Sequence, residues 1–253
     1  QNKPDLIVVG NAISRGNPEL EAALDAAIPY TSLPEILRDL FIQGKRSVVV
    51  TGTHGKTTTT AMTAHLFSHC GLNPSFLVAG LTNNFSRPYN LGTGEHIIIE
   101  GDEYDSAYFA KWAKFFYYLP ETLIINNIEF DHADIYTSLS EITKAFRQIV
   151  NMVPQRGLII AHAADKAVAD VLNLAQAPVQ TFGIETDAFW RADIVSSTPQ
   201  GTDFTLYRQN EDLGSFHLPM HGEYNVRNAL ASIAASHHAG IAPSSLQSGI
   251  ASF

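Results

Sequence analysis

Short runs of uninterrupted apolar residues, separated by longer segments with helical periodicity, are the feature that most constrains this chain. The runs RSVVVTG (46–52), HIIIE (96–100), TLIIN (122–126) and LIIA (158–161) each have the length of one strand. Strands that are apolar on both faces are typical of parallel sheets covered by helices on both sides. The sequence therefore predicts an α/β protein with a mostly parallel sheet.

The remaining elements follow from the same patterns and from turn residues. Further strands are expected at 5–10 and 75–79, and helices at 18–28, 34–41, 56–70, 138–152, 165–175 and 223–239. Asn17 and Ser32 are suitable N-caps for the first two helices. Short alternating segments between 178 and 218, divided by Gly, Pro and Asp, predict a small antiparallel subsheet.

Composition excludes several classes of protein. The chain of 253 residues has 16 basic and 25 acidic side chains, a net charge of −9, and no run of Lys or Arg. Nucleic acids and anionic membranes are therefore poor partners. A single cysteine, Cys70, excludes an intrachain disulfide and a cysteine-based zinc site. We expect a cytoplasmic protein with no obligate protein partner, and the two ends of the sequence suggest a piece of a longer chain.

The strongest motif is a Gly-Lys-Thr turn that follows the strand at 46–52 and opens the next helix. Its residues are Gly52, Thr53, His54, Gly55, Lys56, Thr57 and Thr58. Glycines let backbone N–H groups approach an anion, and a helix N-terminus adds positive potential. Lys56 would reach the β- and γ-phosphates, and the Thr57 hydroxyl would bind Mg²⁺. Val50 stands where the standard P-loop pattern has glycine, so this is a shortened nucleotide-binding loop.

Two further strands end in polar residues. The run at 96–100 leads into Glu100, Asp102, Glu103 and Asp105, and the run at 122–126 leads into Asn126, Asn127, Glu129, Asp131, His132 and Asp134. Carboxylates at a strand end beside a phosphate loop hold Mg²⁺ in many phosphoryl-transfer sites. The alternatives are a solvated acidic turn and, for His132, a loop histidine that is only hydrogen-bonded.

Asn225 and Asn228 lie three residues apart near the start of the helix at 223–239, so they share a face. Two amides on one face could read an adenine edge. Alternatively, both could satisfy backbone groups at the helix start.

Four of these segments together resemble the Mur ligase family, the ATP-dependent amide-forming enzymes of peptidoglycan synthesis. The segments are GTHGKTTTT, EGDE, NIEFDH and GEYNVRNA, which occur in the family's order. The resemblance covers essentially the whole chain. It implies ATP and Mg²⁺ as cofactors, with Lys56 and the loop amides on the ATP phosphates and no covalent enzyme nucleophile.

The resemblance also implies roles for residues outside the loop. Thr57 and Glu100 would bind one Mg²⁺, and His132 would help to hold a second and would act with Lys56 in catalysis. Asn225 and Asn228 would face adenine. Asn83 and Asn84 would lie near the sugar-nucleotide substrate, and Tyr224 stands where relatives usually have histidine.

Domain organisation and substrates are likewise implied. Residues 1–46 would be the end of a Rossmann-like UDP-sugar-binding domain with its linker, and residues 47–253 the central P-loop-type ATP-binding domain. A third domain, for the amine substrate, would lie outside this chain, which alone would bind ATP weakly and catalyse nothing.

The segment at 100–136 most resembles the branch that joins L-alanyl-γ-D-glutamyl-meso-diaminopimelate to UDP-N-acetylmuramate in murein recycling. The alternatives are the branch that adds L-alanine and a non-catalytic nucleotide-binding module. A GTPase switch would need an N-K-x-D segment, which the sequence lacks.

Overall fold

A ten-stranded sheet organises the chain in the computed structural model, which describes residues 4–80, 82–129 and 138–253. The strands are β1 (Ile7–Val9), β2 (Tyr30–Ser32), β3 (Arg46–Thr51), β4 (Ser75–Leu77), β5 (Tyr89–Asn90), β6 (His96–Glu100), β7 (Asp105–Ala107), β8 (Ala110–Ala113), β9 (Thr122–Ile125), β10 (Leu158–His162), β11 (Val179–Ile184), β12 (Trp190–Thr198), β13 (Gly201–Arg208) and β14 (Glu211–Leu218). The α-helices are α1 (Pro18–Asp25), α2 (Leu33–Leu37), α3 (Lys56–His69), α4 (Leu139–Met152), α5 (Lys166–Val171), α6 (Glu223–His238) and α7 (Pro243–Ala251).

The large sheet has the strand order β14-β13-β12-β11-β10-β9-β3-β6-β4-β5. Pairing is parallel from β12 to β4 and antiparallel for β12–β13, β13–β14 and β4–β5. The predicted mostly parallel α/β sheet is thus confirmed. The predicted antiparallel strands extend the same sheet, and placing 179–184 among them was wrong. Because α5 connects β10 to β11, the chain returns to the same end of the sheet and β11 runs parallel to β10.

Strand β3 lies in the middle of the parallel half and explains why its sequence is apolar without alternation. Val48 and Val50 face the core cluster that contains α3, α6 and α7, whereas Val49 faces the cluster that contains α4 and α5. All three side chains are 0–2% exposed. Burial on both faces fixes β3 and directs its carboxyl end, with the loop that follows, to one edge of the sheet.

Residues 7–32 form a β1–α1–β2 unit in which the two strands pair in parallel. Both predicted N-caps are confirmed. Asn17 accepts from the backbone N–H groups of Glu19 and Leu20, and Ser32 forms a reciprocal capping box with Glu35. The proposed domain boundary near residue 46 stays a prediction.

Several element bounds differ from those predicted. Helix α1 ends at Asp25, the helix predicted at 34–41 continues as a π-helical turn (Arg38–Ile42), and that at 165–175 ends as a 3-10 turn (Leu172–Leu174). Strands β2, β5, β7 and β8, which are only 2–4 residues long, were not predicted. Within the described ranges, no helix is long and apolar enough to cross a membrane.

Candidate nucleotide-binding site

The carboxyl ends of β3, β6 and β9 meet at one edge of the sheet, and the loop from β3 to α3 lies there. Gly52 and Gly55 in this loop have φ values of +125° and +80°. A Cβ on Gly55 would lie 2.5 Å from Asn228 Oδ1. Gly55 precedes α3 directly, and no side chain in the described part of the chain caps that helix. The N–H groups of its first turn are therefore arranged as in an anion-binding site.

Lys56 is the cation of this loop. Its ammonium donates to Gly52 O at 2.7 Å and lies 3.3 Å from Glu103 Oε2. The Lys56 side chain is 12% exposed and that of Glu103 is 3% exposed. A positive charge held among backbone carbonyls at a helix N-terminus is suited to phosphate binding, as the sequence predicts.

Glu100 lies at the end of β6, next to Thr57. The Thr57 hydroxyl lies 3.1 Å from both carboxylate oxygens of Glu100, and the N–H of Ala79 donates to Glu100 Oε2 at 3.3 Å. Burial raises the pKa of Glu100, and the hydrogen bonds from Thr57 and Ala79 oppose that rise. The structure thus brings together the two residues that the sequence predicts as Mg²⁺ ligands.

The donor set fits Mg²⁺ as a partner of a bound nucleotide. A hydroxyl and a carboxylate are oxygen ligands, and protein-bound Mg²⁺ usually takes its other ligands from phosphates and water. In residues 4–80, 82–129 and 138–253, no group of three or more His, Cys, Asp or Glu could hold a metal by itself.

Asn126 and Asn127, which follow β9, hold the backbone of the phosphate loop. The N–H of His54 donates to Asn127 Oδ1 at 2.8 Å, and that of Thr53 donates to Asn127 O at 3.1 Å. Asn126 Nδ2 donates to the Thr59 hydroxyl at 3.0 Å. Sequence reasoning noted these residues as a polar strand end but missed this role, because neighbouring strands bring them to the loop from about 70 residues away.

Beside the loop lies a cavity of about 430 Å³, within the size range of small-molecule pockets. Its lining is His54, Gly55, Asn126, Asn127, Glu129, His162, Ala164, Asp165, Phe182, Tyr224, Arg227 and Asn228. The rings of His162 and Phe182 stack with centroids 5.5 Å apart. Burial, with a smaller effect of Arg227, lowers the pKa of His162. The ring pair and the amide of Asn228 suit this part of the site to a flat group, and Glu129, Asp165 and Arg227 add charged side chains to the lining.

The two asparagines of α6 occupy different environments. Asn228 lines the cavity, and its Oδ1 accepts from the Thr59 hydroxyl at 3.1 Å. Asn225 Nδ2 donates to His221 O at 2.7 Å, which matches the alternative that it satisfies the backbone at the helix start. Tyr224 lines the cavity with 64% of its surface exposed. Contact of either asparagine with adenine stays a prediction.

The other predicted loop residues lie at the margin of the site. His54 is exposed, with Nε2 3.7 Å from Glu129 Oε2, and Thr58 is half-buried in the first turn of α3. His132 and the neighbouring Asp131 and Asp134 lie outside the described residues. The second metal position therefore stays a prediction.

Asn83 and Asn84 belong to the segment that follows β4. This segment passes the phosphate loop, since a Cβ on Gly80 would lie 3.2 Å from Thr57 Cγ2. Asn83 is exposed and Asn84 half-buried. A substrate-facing role for these two asparagines stays a prediction.

Comparison with known sequences supports the resemblance. The family model described as Mur ligase middle domain matches residues 50–236. The chain is 38% identical over 251 residues to the UDP-N-acetylmuramate–L-alanyl-γ-D-glutamyl-meso-2,6-diaminoheptandioate ligase of Escherichia coli (strain K12), covering 99% of this chain and 54% of that protein. It is 33% identical over 249 residues to the UDP-N-acetylmuramate–L-alanine ligase of Geotalea uraniireducens (strain Rf4), covering 98% and 53%. The chain spans about half the length of these curated relatives.

Comparison with solved structures agrees. The crystal structure of the UDP-N-acetylmuramate:L-alanyl-γ-D-glutamyl-meso-diaminopimelate ligase from Neisseria meningitides has a TM-score of 0.91 and 34% identity, covering 98% of this chain and 78% of that chain. Together with the family model and the relatives, this likeness shows that the chain belongs to the Mur ligase family.

Proposed function

We propose that the protein containing this chain is an ATP-dependent ligase of the cytoplasm that joins L-alanyl-γ-D-glutamyl-meso-diaminopimelate to UDP-N-acetylmuramate in murein recycling. One observation supports the dependence on ATP: Lys56, Thr57 and Glu100 lie together at a helix N-terminus beside a cavity. The choice of substrates is supported by the relative that is 38% identical and bears that activity in its name.

The reaction we propose has two steps. An oxygen of the lactyl carboxylate of UDP-N-acetylmuramate attacks the γ-phosphorus of ATP, so that ADP leaves and an acyl phosphate forms. The free amine of the tripeptide then attacks the acyl carbon, and inorganic phosphate leaves. Neither step needs a covalent bond to the enzyme.

Two anions must meet in the first step, and the phosphate loop supplies what this requires. The ammonium of Lys56 and the N–H groups at the start of α3 would neutralise and align the phosphates. Thr57 and Glu100 would hold Mg²⁺, which supplies further charge neutralisation when bound. The cavity with the His162–Phe182 pair and Asn228 would receive the adenine base.

The domain assignment is part of the proposal. Residues 1–46 would close a UDP-sugar-binding domain, residues 47–253 form the ATP-binding domain, and the amine substrate would bind to a region outside this chain. We therefore expect the 253-residue chain alone to bind ATP and to show no ligase turnover.

An L-alanine-adding ligase is the second candidate, because a relative with that name is 33% identical over nearly the same span. The cleanest test is phosphate release by the full-length protein with ATP, Mg²⁺ and UDP-N-acetylmuramate, offered either the tripeptide or L-alanine. Turnover with the tripeptide and not with L-alanine is expected. The reverse preference would assign the second activity, and no turnover with either amine would leave only nucleotide binding.

A further inference from the structure

The acidic segment after β6 contains a carboxylate that neither the metal site nor the substrates explain. The first three carboxylates of this acidic segment have different partners. Glu100 contacts the Thr57 hydroxyl, Asp102 pairs with the Lys114 ammonium at 2.7 Å, and Glu103 pairs with Lys56. Only Glu103 among them contacts the cation of the phosphate loop. It is also the most deeply buried of the three, with 3% of its surface exposed.

The backbone between Glu100 and Glu103 is fixed by close packing on β3. The N–H of Gly101 donates to Val50 O at 2.7 Å, which continues the β3–β6 ladder by one residue. A Cβ on Gly101 would lie 2.7 Å from both Val49 Cγ1 and Thr51 Cγ2. The chain thus leaves β6 in close contact with β3, and this path carries Glu103 to the loop that follows β3.

The Lys56 ammonium lies closer to its backbone partner than to the carboxylate of Glu103. The ammonium donates to Gly52 O at 2.7 Å, whereas the two Glu103 oxygens lie at 3.3 and 3.4 Å. A charge-assisted hydrogen bond of full strength is about 2.7–2.9 Å long. The longer contact leaves the ammonium, which has three N–H donors, able to add a phosphate oxygen while it keeps its anchor on the loop backbone and stays beside Glu103.

We infer that Glu103 is a positioning residue for Lys56. Its buried carboxylate balances the buried ammonium of the nucleotide-free loop and restricts it to the place from which it meets the γ-phosphate. This inference rests on the proposed function, in which Lys56 contacts the phosphates of ATP. It assigns Glu103 no role as a metal ligand and none in contact with substrate.

Glu103→Gln in the full-length enzyme tests this, with Asp105→Asn as the control. Asp105 lies in the same acidic segment and pairs with Lys111 at 2.8 Å near the surface. For Glu103→Gln we expect kcat to fall about 10–100-fold, because misplaced groups lose catalysis steeply. The Kd for ATP should stay within about threefold, as for interactions that matter mainly in the transition state. Asp105→Asn should change neither quantity.

Three further measurements separate this role from others. Glu103→Asp keeps the charge but withdraws it by one methylene, so its kcat should fall between those of the wild type and Glu103→Gln. In a Lys56→Ala background, Glu103→Gln should cause no additional loss of rate, since its effect passes through Lys56. The Mg²⁺ concentration for half-maximal rate should not change.

Wild-type kcat in Glu103→Gln or Glu103→Asp would overturn the inference, as would an additive effect with Lys56→Ala or a raised Mg²⁺ requirement. Should Glu103→Gln fail to fold, Glu103→Asp and its double variant with Lys56→Ala decide the question. Failure of the proposed function has a separate signature, since the wild-type enzyme would then not bind ATP or Lys56→Ala would retain full rate.

Discussion

The two ends of the candidate nucleotide site use different chemistry. At one end, charged groups lie close together: Lys56, Glu100 and Glu103. The other end, which we call neutral for its stacked His162–Phe182 pair and the amide of Asn228, lines a cavity of about 430 Å³. The lining of that cavity also includes Glu129, Asp165 and Arg227. Charge acts over several ångströms, whereas stacking and amide contacts require a close fit. The charged end is therefore expected to control rate, and the neutral end affinity and selectivity.

The sheet explains why the two ends are separate. The charged end is built from β3 and β6, which are neighbours in the sheet, and from the start of α3, which follows β3 along the chain. The neutral end is built from β10 and β11, which lie on the other side of β9 in the sheet, and from α6. Asn126 and Asn127 follow β9 and hold the loop between the two ends.

The largest effect is expected from removing the cation of the charged end. Lys56→Ala in the full-length enzyme should reduce the rate of phosphate release about a thousandfold, because one charge pair near 4 Å is worth about 4 kcal/mol at an effective dielectric of 20. Lys144→Ala, an exposed lysine on α4, is the matched control. Retention of a tenth of the wild-type rate by Lys56→Ala would contradict the assignment.

A smaller effect is expected from the predicted metal ligand. Glu100→Gln removes the carboxylate that lies 3.1 Å from the Thr57 hydroxyl, so the Mg²⁺ concentration for half-maximal rate should rise about tenfold or more. Glu95→Gln, an exposed residue just before the other end of β6, is the control. An unchanged Mg²⁺ requirement in Glu100→Gln would move the metal away from this strand end.

The sequence predicts the charged end well because its residues form local motifs. A strand followed by Gly-Lys-Thr and a strand that ends in acidic residues each point to their chemistry within a few positions. The parallel sheet then places them side by side, which needs no information beyond the strand pattern. The pairing of Lys56 with Glu103 was still missed, because it depends on the path of the chain at Gly101.

The neutral end was largely missed, and the reason is distance along the chain. His162 and Phe182 belong to no motif, and only the crossover through α5 brings β10 and β11 together. Asn228 was singled out because its spacing of three from Asn225 places both on one helix face, but Asn225 Nδ2 donates to His221 O. Short strands such as β5 were missed for a related reason, since two residues carry no periodic signal.

Gly55 lies where the charged and neutral ends of the site meet, so a substitution there tests the contact between the phosphate loop and the neutral end. A Cβ there would lie 2.5 Å from Asn228 Oδ1 and 3.0 Å from Asn126 Nδ2, on a backbone with φ of +80°. Gly55→Ala should cost about 1–3 kcal/mol in the free energy of unfolding and also weaken ATP binding. Gly71→Ala is a close control, because Gly71 has φ of +78° at the other end of α3 but no atom within 4 Å of its Cβ.

Both alanine variants should therefore lose stability in urea unfolding, and only Gly55→Ala should lose affinity in calorimetric titration with ATP. Equal affinities in the two variants would mean that crowding at Asn228 and Asn126 has no influence on the nucleotide. The comparison separates backbone strain, which the two positions share, from contact with the neutral end, which only Gly55 makes.

The smallest effect is expected from pH at the neutral end. Burial and Arg227 lower the pKa of His162 below its ordinary value of 6.5, and Asp165 opposes this. A histidine whose pKa is lower in the folded state stabilises the fold fully above pH 6.5 and loses this contribution as pH falls through the folded pKa. The free energy of unfolding of His162→Gln should therefore decline less than that of the wild type when the pH is lowered through this window. An unchanged decline in His162→Gln would show that protonation of this ring does not weaken the fold.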